Sequence, residues 1–424
     1  MAKANSLLQK WLSKQIKAEP ELQQVNKENE NSFPLSHEQI RLWVLAQLYP
    51  NNPVYNFILA FSFSGNINLA RLTSAINNVL QKHDVLNAII TSKNEGLNHQ
   101  VKHERIFVDI KNIKAASLQE AKNLATEEAK TFGLKPFALE RELVRARVLN
   151  LGNGEFWLVF VAHHLVFDKQ SAEVLKQEIV TAYVANTVSE VVQNSGSENL
   201  FADYIFTQQS KTGNLATIDF WKKQFLTIPE PIAWPFEESE NNAEQFAGGY
   251  MRLDLPENLL LELTSLAQKQ NTSLFVVLLA LYKTFLALYL DTTDVCVGVP
   301  VTNRIDEKWQ NTIGFFDNSL ALRSRIDFDL GFSTFLKQVK NEFAEALDHR
   351  AMPFQELVKL VSPERSILNP LFQTMLIYHE GRSSKQNKNQ LNAVEQRIDL
   401  GVSKFDLTLY CQKNEDSLEL IFET

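Results

Sequence analysis

The residues from Val161 to Gln170, VAHHLVFDKQ, hold the most reactive chemistry in the chain. Two adjacent histidines close an apolar stretch, Asp168 follows shortly after, and a helical pattern begins beyond it. Imidazole titrates near neutrality, so either ring can take or give a proton at cellular pH. A strand end that opens into a loop holds such groups on a rigid base while leaving them open to a cleft. The Asp168 carboxylate can orient that loop or pair with a cation from elsewhere. Neighbouring side chains on an extended backbone point to opposite sides, so His163 and His164 do not easily reach one ion. No third ligand stands at useful spacing, and the reading assigns no metal. At this level a purely structural histidine pair stays open as an alternative. No serine or cysteine stands in a nucleophile context.

The elements that must position these residues follow from periodicity. EFWLVFVA (Glu155 to Ala162) reads as a buried strand, preceded by strands at Tyr55 to Ser64, Val85 to Ile90 and Val144 to Asn150. Helices are predicted over Ile40 to Leu48, Leu69 to Gln81, Ser117 to Thr131 and Ala172 to Ala185. A comparable series follows residue 245. Strands are predicted at Tyr250 to Leu255, Val295 to Val301, Ser319 to Ile326, Phe372 to Tyr378, Phe405 to Cys411 and Leu418 to Phe422. Helices are predicted at Glu257 to Lys269 and Phe332 to Asp348. TSLFVVLLALYKTFLALYL (Thr272 to Leu290) is nearly long enough to span a bilayer, but Lys283 lies inside it and Asn271, Thr272 and Ser273 offer helix-start chemistry. It is predicted to be a core helix, with no membrane association.

Composition narrows the classes further. The chain has 424 residues with a net charge of −8, 45% hydrophobic and 22% charged, an ordinary globular balance. The absence of a long basic block argues against nucleic acid as a partner. Two cysteines, Cys296 and Cys411, cannot staple a chain this long, and the opening residues carry no continuous apolar stretch. A reducing, cytoplasmic setting is expected. Leu8, Trp11, Leu12 and Ile16 share one face of a short amphipathic helix, followed by polar linker composition from Ala18 to Ser32. The predicted organisation is an N-terminal helix and linker over 1–32 as a possible docking element, a lobe over 33–195, a connection over 196–245 and a second lobe over 246–424. Glu380 to Asn392 reads as a polar loop.

The HHxxxD arrangement of His163, His164 and Asp168 resembles the signature of condensation domains of nonribosomal peptide synthetases, relatives of chloramphenicol acetyltransferase. Further matches follow in the family's order: SHEQIRLWVLAQL (36–48), PVYNF (53–57), KHDVLNAII (82–90), FADYIF (201–206), GVPVTNR (298–304), IGFFDNSLALR (313–323), HRAMPFQE (349–356) and RSILNPL (365–371). The resemblance runs from about Phe33 to the end of the chain. It implies an α+β fold of two chloramphenicol-acetyltransferase-like lobes forming a V-shaped pseudo-dimer with a central tunnel. Phosphopantetheine arms of carrier domains would deliver an acyl thioester donor and an aminoacyl acceptor, and no cofactor would be bound by the domain itself. The implied partners are an upstream donor carrier protein, a downstream acceptor carrier domain and adjacent synthetase domains. On matching positions His164 orients or deprotonates the attacking amine, and His163 holds the loop. The resemblance further implies that Asp168 pairs structurally with Arg304 and that Asn318 supports the site.

The sequence also departs from the pattern. Lys169 stands where glycine is usual after the motif aspartate, and is expected to gate the tunnel, contact substrate or reach solvent. Asn87 stands where arginine is typical. With no carrier ahead of the motifs, the donor is expected from a separate protein, and the chain is expected to be a piece of a larger synthetase. Two alternatives accompany the amide-forming reading: a starter-type acyl-CoA-dependent or ester-forming acyltransferase, and a catalytically altered module that recruits carriers.

Overall fold

The structure, a computed structural model, describes residues 32–93, 96–102, 106–185, 200–211, 214–235, 246–361, 371–380 and 391–424. The expected leader helix Leu8 to Ile16, the polar segments at 194–199, 236–245 and 381–390, and all but the last residue of the RSILNPL motif at 365–371 lie outside them. The chain forms two compact units, and neither is one continuous stretch. The first comprises Met1–Gln209, Arg304–Phe315 and Gln386–Leu400; the second comprises Ser210–Asn303, Phe316–Lys385 and Gly401–Thr424. The contiguous division at 195 and 246 is therefore redrawn. Two downstream segments join the first unit because their bonding partners are there: Ala393–Gln396 pairs with Asn56–Phe63, and Arg304 bonds Asp168.

In the first unit, strands β1 (Ser32–Pro34), β3 (Ala88–Lys93) and β4 (Gly96–Val101) make a small antiparallel sheet in the order β1-β4-β3. A five-stranded sheet contains β2 (Asn56–Phe63), β5 (Asp109–Asn112), β6 (Val144–Gly152), β7 (Glu155–His163) and β12 (Ala393–Gln396), ordered β12-β2-β7-β6-β5. β7 is central, and all nine of its residues are buried. A strand covered on both faces reads as an unbroken apolar run, which is why EFWLVFVA carries no polar alternation. Its register, Asn56↔His163 and Val144↔Ala162, delivers the histidine pair to the sheet's end. Val85 to Asn87, predicted as strand, instead forms part of a 3-10 turn over Asp84–Asn87, because the Asn87 amide donates back to the Leu80 and His83 carbonyls. That side chain caps the preceding helix, Leu69–Lys82.

The second unit holds a six-stranded mixed sheet. β8 (Tyr250–Leu255), β9 (Asp294–Thr302), β10 (Asp317–Arg325), β11 (Thr374–Glu380), β13 (Leu407–Lys413) and β14 (Leu418–Glu423) lie in the order β10-β9-β11-β13-β14-β8. The apolar segment forms helix Leu274–Tyr289, capped by the Ser273 hydroxyl, with Val277, Leu279, Ala280 and Leu286 fully buried. Lys283 is buried within it and donates to the Ser324 hydroxyl at 2.6 Å, with Glu342 at 3.6 Å, so the charge is compensated. No single helix among the described residues is long and apolar enough to cross a membrane. β9 carries a glycine at 298, where a Cβ would lie 2.3 Å from the Phe372 ring.

Candidate active site

β7 ends at His163, and His164–Val166 turns immediately into a single 3-10 turn. The two rings do different work. His163 is buried, and its Nδ1 accepts from the Leu165 N–H at 3.2 Å, which puts its proton on Nε2. It folds back over its own turn, with Tyr55 and Phe137 beside it. His164 has its Nδ1 2.6 Å from the Phe167 carbonyl oxygen. A carbonyl only accepts, so that nitrogen is the protonated one and the neutral ring's lone pair is on Nε2. Phe57 and Phe315 flank this ring at centroid distances of 5.6 and 5.0 Å. One ring nitrogen is committed to the backbone, and the other is chemically competent to take a proton.

Asp168 and Arg304 are fully buried side chains. Arg304 Nη2 donates to Asp168 Oδ1 at 2.9 Å and Oδ2 at 3.0 Å, while Nη1 donates to the carbonyls of Trp309 (2.6 Å) and Thr312 (2.5 Å). Asp168 also caps helix Lys169–Ala185, accepting from the Ser171 N–H at 2.7 Å. Ser171 is a member of this cluster that motif reading alone did not assign. Its hydroxyl lies 2.7 Å from Asp168 Oδ1, as a donor, and accepts from Arg304 Nη2 at 3.1 Å and the Gly314 N–H at 3.0 Å. Asp168 directly before a helical pattern is itself an N-cap signal, and a cap of this kind reaches the N–H of the third helical residue, Ser171, which could have exposed it. Gly314 can come this close only without a side chain, since a Cβ would sit 2.3 Å from the Phe201 ring.

A second support reaches the turn from helix His37–Leu48. Gln39 forms a capping box with Ser36, its Oε1 accepting from the Ser36 N–H at 2.8 Å. That leaves its amide nitrogen to donate to the Leu165 carbonyl at 2.7 Å and to meet His99 Nε2 at 3.1 Å. His99, which its polar neighbours suggest as a surface residue, is wholly buried on β4. Its strand conceals it: the other five residues of β4 are exposed or half-buried, and His99 alone turns fully inward.

A family model for the condensation domain matches residues 29–423. The chain belongs to the condensation domain family. Condensation domains are the acyltransferases of nonribosomal peptide synthetases. The chain is 29% identical over 89% of its length to a probable non-canonical nonribosomal peptide synthetase, CymA, of Salinispora arenicola, covering 5% of that protein. It is 27% identical over 92% of its length to bacitracin synthase 1 of Bacillus licheniformis, covering 8% of that protein. It thus spans less than a tenth of the length of these relatives. A crystal structure of a holo four-domain nonribosomal peptide synthetase bound to AMP and glycine superposes with a TM-score of 0.80 at 20% identity, covering 92% of this chain and 31% of that one. That likeness concerns the fold.

Within this condensation domain, His163, His164, Asp168, Lys169 and Arg304 all belong to the first unit. Asn318 belongs to the second. Its amide is spent on backbone: Nδ2 donates to the Arg350 and Met352 carbonyls at 2.9 and 2.8 Å, and Oδ1 accepts from the Phe354 N–H at 3.0 Å. Asn318 thereby clamps β10 to the start of helix Phe354–Val361. Lys169 runs to β12, where its ammonium contacts both Glu395 oxygens at 3.0 and 3.3 Å. Both side chains are about two-fifths exposed, so solvent screens the pair. Lys169→Gly is expected to cost at most ~1 kcal/mol in urea unfolding, because an exposed pair contributes about 0–1 kcal/mol. A larger loss would mean that this contact secures the short β12 strand.

Proposed function

We propose that the chain catalyses amide bond formation between an acyl or peptidyl thioester donor and the amine of an aminoacyl thioester acceptor, each carried on the phosphopantetheine arm of a carrier domain. The observation that carries this reading is the His164 ring, oriented by the Phe167 carbonyl with its lone pair on Nε2. The acceptor amine attacks the thioester carbonyl, its surplus proton passes to His164 Nε2, the C–S bond breaks, and the departing sulfur takes that proton to leave as thiol. A thioester is already activated, so holding amine and carbonyl together supplies much of the rate. No covalent acyl-enzyme is needed. Asp168, Arg304 and Ser171 hold the loop and do not meet substrate. The partners on this reading are an upstream donor carrier protein and a downstream acceptor carrier, with adjacent synthetase domains in a larger assembly.

Incubation with carriers loaded across a panel of acyl and aminoacyl groups tests the reading, with intact-mass detection of what remains on the acceptor arm. An amide-linked product on the acceptor carrier is expected. Product formed from acyl-CoA but never from a donor carrier would shift the assignment to a starter role. Failure of transfer across the panel would favour a recruitment module.

A further inference from the structure

The geometry points to His99 as a positioning residue for acyl transfer, acting on His164 through Gln39 and the Leu165 carbonyl. The inference rests on His164 being the base. A primary amide has two N–H groups on one nitrogen, and both of Gln39's are directed by its surroundings. Its oxygen is fixed at the Ser36 N–H, so the nitrogen must face the other way, toward Leu165 O at 2.7 Å and His99 Nε2 at 3.1 Å. His99 serves as the acceptor there, which places its own proton on Nδ1, facing the Pro34 carbonyl at 3.4 Å. The ring lies at the middle of the β1-β4-β3 sheet, paired with Phe33 on one side and Ile90 on the other. It stacks on Phe33 at 4.4 Å and 15°, with Phe201 edge-on at 6.1 Å. Burial pushes this imidazole down to about 3, so it stays neutral and keeps its acceptor lone pair across the working pH range.

The consequence reaches the turn that carries His164. Leu165 is gripped at both polar ends: its N–H by His163 Nδ1 and its carbonyl by Gln39. Phe167, whose carbonyl sets the His164 tautomer, lies just beyond the same turn. Without an acceptor at position 99, one N–H of the wholly buried Gln39 amide loses its partner. A buried unmet donor is costly enough that the amide must reorient, releasing Leu165 O. His164 then loses its fixed aim rather than its presence, which affects turnover more than substrate binding.

Three variants separate the parts of this device. His99→Phe keeps an aromatic ring against Phe33, His99→Gln keeps an acceptor near the Nε2 position, and His99→Met, of similar length, keeps no ring and only the weak acceptor of a thioether. In the carrier transfer assay, His99→Phe and His99→Met are expected to lower kcat by about ten- to a hundredfold with KM changed less than about twofold, and His99→Gln to recover most of kcat. In the full chain without substrate, ring 15N spectra should show His164 protonated at Nδ1 in the wild type and the Gln variant, and a tautomer mixture in the other two. Equal kcat and unchanged His164 ring shifts in Phe and Met would overturn the inference. If Phe fails to fold, the Gln and Met pair still decides it. His164→Ala run alongside keeps the two readings distinct. A wild-type rate in that variant removes the base assignment, whereas its loss with intact Phe and Met variants removes only the positioning role.

Discussion

His164→Ala is expected to slow carrier-dependent transfer by ~10²–10⁴, the range that a well-placed general base supplies. The expectation follows from which bonds the ring makes. His164 Nδ1 is satisfied by the Phe167 carbonyl within its own turn, and the ring is only partly buried between Phe57 and Phe315. The scaffold around it is built by other residues: His163 on the Leu165 N–H, Gln39 on the Leu165 carbonyl, and Arg304 on Asp168. Truncating the ring should therefore leave the urea midpoint within the equivalent of ~1 kcal/mol of wild type. His163→Ala makes the informative contrast. It deletes a buried ring that accepts a backbone N–H, so it should lower stability and rate together. Transfer by His164→Ala at the wild-type rate would refute the assignment of the base, and the aligned ring would then be structural.

Asp168→Ala is expected to destabilise the first unit by about 3–5 kcal/mol, read as a drop in the urea midpoint. Three losses coincide there. The Arg304 guanidinium is left buried without its counter-ion, the Ser171 N–H loses its helix cap, and the Ser171 hydroxyl loses its 2.7 Å acceptor. The first dominates, because a cap alone is worth about 0.5–2 kcal/mol, whereas an uncompensated buried charge carries the full desolvation cost. Asp168→Asn keeps a capping oxygen and should fall between. Combining Asp168→Asn with Arg304→Met removes both charges, and the double variant should be more stable than the sum of the single losses predicts. Additive losses would mean that the pair is not coupled, contrary to its geometry. Transfer should fall in each case, because the motif loop is anchored through Asp168.

Several of these relations are legible in the residues. The central strand shows as an unbroken apolar run, the long helices by their periodicity, and the core helix by Lys283 and its Ser273 cap. The pairing of Asp168 with Arg304 follows from the resemblance together with the cost of burying a lone carboxylate. Three short strands, β1, β4 and β5, are invisible to such reading because elements of three to six residues with mixed polarity carry little periodic signal. β12 is hidden for another reason. Its four residues add to the edge of a sheet whose next strand lies more than three hundred positions earlier, and nothing local encodes that partner.

Sequence alone determined the chemistry available: an imidazole pair at a strand end, a carboxylate in the following turn and an arginine far downstream. It determined the family as well, because ordered motifs are a linear property. Tertiary structure decided which nitrogen of each ring carries the proton, since that depends on whether the neighbour in space is the Phe167 carbonyl or the Leu165 N–H. It also decided that His99 is buried and joined through Gln39 to the motif turn, and that Asn318 spends its amide on its own unit's backbone. Hydrogen bonds are satisfied by whichever group the fold brings within about 3 Å, and composition and spacing do not carry that distance.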